Sequence, residues 1–96
     1  MSSPLIVIAE LEAEPEFAAE CRAALAPLVN ASRQEPGCLG YRLHQSMESP
    51  HGWMIHEEWE SDAALSAHQQ QPHFLAFVAN TRGWFASTSV RRYQLA

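Results

Sequence analysis

Lysine is absent from this chain, and its six basic residues are all arginine. Eleven acidic residues outnumber them, and the formal net charge is -5. A nucleic-acid binder needs a basic stripe to meet phosphates, and no stretch of the sequence supplies one. An anionic membrane surface is excluded on the same ground. Glycine is scarce: Gly37, Gly40, Gly52 and Gly83 stand far apart. That scatter excludes a glycine-rich phosphate cradle for a nucleotide or flavin. Cysteine is limited to Cys21 and Cys38, and both positions predict free buried thiols rather than a disulfide. The amino-terminal apolar run, Leu5 to Ala9, is too short to span a membrane. No positive charge precedes it, as a secretory signal requires. The expectation is a soluble cytoplasmic protein. No serine or cysteine stands in a recognisable nucleophile motif.

What the sequence has is apolar material in short, patterned pieces. Hydrophobic residues make up 47% of its 96 positions, enough for a folded chain. That length predicts one domain over residues 1–96. Burial is inefficient at this size, so a partner chain is a natural supplement to the core.

Residues 4–12 read as a strand, with Leu5, Val7 and Leu11 on one face and Ile6 and Ile8 on the other. Pro15 opens a helix over about 15–33. Phe17, Cys21, Leu25, Leu28 and Val29 repeat there at helical spacing. Pro27 lies on the opposite side, so the expectation is a helix bent at Pro27 rather than ended by it. Glu35-Pro36-Gly37 stops it. Residues 38–47 form a second strand, with Leu39, Tyr41 and Leu43 on one face. A loop at 49–52 leads to a third, in which Trp53, Ile55, Glu57 and Trp59 share a face. Ser61 caps a short helix in which Ala64, Leu65 and His68 lie together. Pro72 opens a further helical turn carrying Phe74, Phe77 and Val78. Residues 80–87 read as irregular and 88–95 as a last strand.

The order is βαββαβ. Its simplest closure is α+β and ferredoxin-like, a four-stranded antiparallel sheet with helices on one face. The two-sided apolar pattern of the first strand predicts that a second copy covers the other face, giving a homodimer.

Several polar residues converge on this frame. His68, Glu57 and Trp59 point towards the cleft between sheet and helices. A buried imidazole there can take a proton. Glu57 is a second candidate base, or a partner that holds His68 in one tautomer; alternatively it pairs with an arginine. Trp59 serves as a pocket wall or as a core anchor. Tyr41, Phe74, Phe77 and Trp84 are candidates to line an apolar cavity for an aromatic ring, or are ordinary core. His73 follows His68 by five residues, the wrong offset for two zinc ligands on one helical face. His44, His51 and His56 share no spacing with them, and no metal site is expected.

With these residues placed, the chain resembles the antibiotic biosynthesis monooxygenase family of dimeric α/β-barrel proteins. The likeness rests on Glu35-Pro36-Gly37-Cys38 leading into Tyr41 and on Glu57-x-Trp59. It continues through Ala64-Leu65-x-x-His68 and Pro72-His73-Phe74. The resemblance implies oxygenation of a small electron-rich aromatic, a quinol or polyphenol, by dioxygen without a cofactor. On that reading His68 is the expected base and Glu57 its partner. Some relatives carry an Asn four residues before the Trp equivalent to Trp59, where this chain has Ile55. The histidine and asparagine used by haem-degrading relatives have no counterpart here, which argues against haem. The same fold also carries isomerases of small carbonyl metabolites and non-catalytic ligand-binding dimers.

Overall fold

The computed structural model describes residues 3–96. Met1 and Ser2, part of the amino-terminal stretch read above, lie outside the described residues. Four strands and three α-helices follow in the order β1 (Leu5–Ala13), α1 (Ala18–Arg33), β2 (Cys38–Gln45), β3 (Gly52–Trp59), α2 (Asp62–His68), α3 (Pro72–Asn80) and β4 (Phe85–Tyr93). A 3₁₀ turn at Pro15–Phe17 leads into α1. The sheet order is β2-β3-β1-β4, antiparallel throughout. This is the ferredoxin-like α+β plan expected from the element order.

The strand alternation decides what is buried. Val7, Ala9, Leu11 and Ala13 of β1 face α1, as do Trp53, Ile55, Glu57 and Trp59 of β3. Pairing sets Val7 opposite Glu57 and Ala9 opposite Ile55, so these residues form one continuous floor. Cys21, Leu25, Leu28 and Val29 of α1 close on it. The helix runs unbroken through Pro27, whose exposed position leaves the buried stripe in phase.

The opposite face carries Ile6, Ile8, Met54 and Tyr93, with Glu58, His56 and Arg91 paired beside the two isoleucines. Its apolar character is therefore narrower than the pattern of β1 suggested.

Several element ends shift by a few residues from the sequence reading, and Leu39 and the start of β4 depart from it most. Leu39 is not a companion of Tyr41 in the core. The β2–β3 register shifts between Cys38 and Gly40, and the extra residue leaves Leu39 half exposed. β4 starts at Phe85, inside the stretch read as irregular, because Phe85 pairs with Ala13 across a second register shift.

The turn after α1 positions everything that follows. Gly37 has φ 85°, a left-handed conformation natural to glycine. A Cβ on Gly37 would stand 2.7 Å from Cβ of Ala64, so α2 packs directly on this turn. The Gly37 carbonyl accepts from the Glu60 amide at 2.9 Å. One residue later Ser61 caps α2, its Oγ accepting from the Ala64 amide at 3.1 Å. α2 then ends at His68, and Pro72 starts α3.

Candidate active site

His68, the last residue of α2, is 2% exposed. Its ring sits 4.6 Å from Trp59, 4.9 Å from Phe74 and 5.6 Å from Tyr41, measured between centroids. Burial among these rings pushes its pKa below the ordinary value of 6.5. A neighbouring carboxylate opposes that shift by hydrogen bonding.

That carboxylate is Glu35, and here the structure corrects the sequence reading. Oε2 of Glu35 lies 2.7 Å from Nδ1 of His68 and 2.6 Å from Nε2 of His73. Glu57, expected to hold His68, instead accepts from the Trp59 indole N–H at 2.9 Å. The spacing argument against His68 and His73 acting together assumed a single helix. The break at Gln69–Gln71 sets them on two helices, whose ends meet over Glu35. The two nitrogens and the carboxylate oxygen all lie within 4.8 Å of one another. Ligands of a tetrahedral zinc, each about 2.0–2.1 Å from the ion, stand about 3.3 Å apart. The Glu35 contacts are shorter than that, and in this structure the three side chains stand as a hydrogen-bonded triad.

The cavity beside His68 measures about 270 Å³. Its deep wall is Val7, Leu28, Tyr41, Ile55, Glu57 and His68, and its outer part includes Phe74, Phe77, Val78 and Val90. Val78 and Val90 are exposed, which places the mouth between α3 and β4. Tyr41, Phe74 and Phe77 thus stand where a ring would be enclosed. Trp59 does not line this space; fully buried, it backs the imidazole. Trp84 is elsewhere: it stacks on Phe17 at 5.8 Å in the turn before β4, and Phe85 lines the cavity in its place. A wider hollow of about 500 Å³ borders the sheet at Glu10, Glu12 and Glu48. Its floor lacks the apolar enclosure that ligand pockets share.

Glu57 is 5% exposed, and burial pushes its pKa up from 4.5 to about 7. The indole bond pulls the other way by favouring the anion, and the charge of Glu35 adds to the rise. Burial holds the Tyr41 hydroxyl far above its ordinary value, so it is a phenol and not a base. The cavity wall thus offers a neutral imidazole, a carboxyl group poised near neutrality and a phenolic hydroxyl. Glu35 and His73 belong to the family-like motifs, and their contact with each other is visible only in the structure. No sequence rule links Glu35 to a histidine 33 positions away.

A buried imidazole and a buried carboxyl group on the wall of an apolar cavity have the chemistry of a small-molecule site. The chain belongs to the antibiotic biosynthesis monooxygenase family, whose model matches residues 4–80. Among curated relatives, "Putative monooxygenase Rv0793" of Mycobacterium tuberculosis is 33% identical over 82% of this chain and 77% of its own length. An uncharacterised Synechocystis protein is 28% identical over 97% of this chain, which spans only 64% of that protein. The crystal structure of PA3566 from Pseudomonas aeruginosa superposes with a TM-score of 0.95 at 36% identity, covering 100% of this chain and 97% of that one.

Proposed function

We propose that the protein is a cofactor-independent monooxygenase of small electron-rich aromatics, a quinol or polyphenol, working as a cytoplasmic homodimer. The observation that carries this reading is His68, a buried imidazole at the wall of an apolar cavity. Nε2 of His68 takes the proton of a phenolic hydroxyl, which raises the electron density of the ring. The phenolate passes one electron to dioxygen. The radical pair recombines and forms a carbon–oxygen bond. The O–O bond then breaks as the ring carbon loses its proton; water departs and a quinone carbonyl remains. One oxygen atom ends in the quinone and the other in water, and the ring supplies all four electrons.

The protein contributes a base, a dry enclosure and orientation. Family membership and relatives named as monooxygenases support the reaction class. The cavity supports the substrate size, since a drug-sized ligand needs about 300–1,000 Å³ and this one is smaller. Glu57, near neutrality, donates to a substrate oxygen when protonated. The test is incubation with a reduced naphthoquinone under ¹⁸O₂. One labelled atom per product, absent with heat-killed protein, supports the reading; unlabelled product refutes it.

A further inference from the structure

We propose that Glu35 and His73 are positioning residues for His68. One carboxylate oxygen, held by imidazoles from two helices, fixes the tautomer that leaves Nε2 of His68 as the free nitrogen at the cavity. The inference rests on the reading of His68 as the base of this site.

The chemistry of the contact dictates the tautomer. An ionised carboxylate only accepts hydrogen bonds, so the nitrogen facing it must carry the proton. Nδ1 of His68 faces Oε2 of Glu35 at 2.7 Å. A neutral ring protonated at Nδ1 has its lone pair on Nε2. When Nε2 takes a proton, the imidazolium that forms already has an anion at hydrogen-bond distance on its far side. The bond therefore strengthens as charge develops on the ring, which is when it assists the reaction.

His73 accounts for why Glu35 stays in place. The Glu35 side chain belongs to a turn and has several rotatable bonds, whose freedom is lost on burial. A single bond to His68 would leave it one restraint. Nε2 of His73 supplies a second at 2.6 Å, on the same oxygen. His68 closes α2 and His73 lies in the first turn of α3, so the carboxylate ties both helix ends to the turn after α1. Burial grades across the three: the side chains of His68, Glu35 and His73 are 2%, 6% and 24% exposed. The ring at the cavity is shielded from bulk water, and the outermost one meets it. Other groups around His68 are Tyr41, Trp59 and Phe74, and none of them competes for Nδ1.

The test reads the tautomer directly. Protein labelled with ¹⁵N-histidine is examined by long-range ¹H–¹⁵N correlation at pH 7.5, without substrate. The expected spectrum has His68 protonated at Nδ1 and bare at Nε2, and His73 protonated at Nε2. His73→Ala is expected to mix the His68 tautomers. His73→Gln, whose amide can still donate, is expected to restore the single form. In turnover, Glu35→Gln is expected to lower kcat by about 10²-fold or more with KM little changed, the lower end of what a general base contributes. A His68 protonated at Nε2 in the wild-type protein overturns the proposal, with no variant needed. So does a His68 pattern that neither His73→Ala nor Glu35→Gln moves in folded protein. The expected spectrum combined with no quinol oxidation leaves the positioning triad standing and removes the oxygenase reading. Oxidation that depends on His68 but not on Glu35 or His73 does the reverse.

Discussion

His68 and Glu57 share one cavity, and their ionisations oppose each other. Only neutral imidazole accepts a proton, and burial moves its titration below 6.5, so the rate should rise with pH through a point below that value. Glu57 ionises as pH passes about 7. A carboxylate formed there repels the phenolate, so the rate should fall again above about 7. Initial rates measured across pH should therefore peak between the two groups. In Glu57→Gln the alkaline fall should vanish while the acid rise remains. Trp59→Phe removes the indole donor that favours the Glu57 anion, so its fall should move to higher pH. A profile unchanged by both variants contradicts the role given to Glu57.

The same shift sets a stability trend. A carboxyl raised from 4.5 to about 7 keeps a proton in the folded chain that the unfolded chain has lost. Its contribution is present below 4.5 and lost as pH rises through about 7. At full strength this amounts to about 3 kcal/mol. Glu57→Gln should then raise the melting temperature at pH 8 and leave it nearly unchanged at pH 4. Equal effects at both pH values would show that packing, not ionisation, decides.

At the scale of elements, the turn at Gly37 decides where His68 lies. Gly37→Ala adds a Cβ in a left-handed conformation and drives it against Ala64, so α2 must move. The expected cost is about 1–3 kcal/mol in denaturant unfolding, with a loss of activity larger than stability alone explains. Ser61→Ala at the N-cap should cost about 1 kcal/mol and leave the cavity intact. Equal activity losses in the two variants would show that the turn has no special hold on the site.

Most of this frame was legible in the sequence. The alternation of Trp53, Ile55, Glu57 and Trp59 gave the buried face of β3, and the phase of α1 survived Pro27. The site was legible only in its residue types. Alternation places a side chain on a face but does not say which neighbour it meets. Glu57 and His68 both point inward, which suggests a pair, yet the turn after α1 delivers Glu35 to Nδ1. The register shift at Cys38 and the stacking of Trp84 on Phe17 arise from contacts between distant segments, and no local pattern encodes them.

For the molecule as a whole, the outer sheet face is the surface on which the proposed assembly rests. Ile6 and Ile8 are already half-buried among Glu58, His56, Arg91 and Tyr93. A second copy stacked face to face would finish that burial and bring charges of both signs together. If the proposed dimer forms through this face, Ile8→Asp should dissociate it, because an unpaired charge inside such an interface is costly. Light scattering at micromolar concentration checks it, and a wild-type monomer would end the claim.

No helix of the described residues is long and apolar enough to cross a membrane. The most direct test of the reaction is dioxygen consumption by chelator-treated protein with a reduced naphthoquinone, for wild type and His68→Ala side by side. We expect consumption above the buffer rate in the wild type, unaffected by the chelator. In His68→Ala we expect kcat to fall by about 10²- to 10⁴-fold, with KM changed less. Substrate turnover that continues at the same rate under strict anaerobiosis contradicts oxygenation and points to isomerisation by the same base.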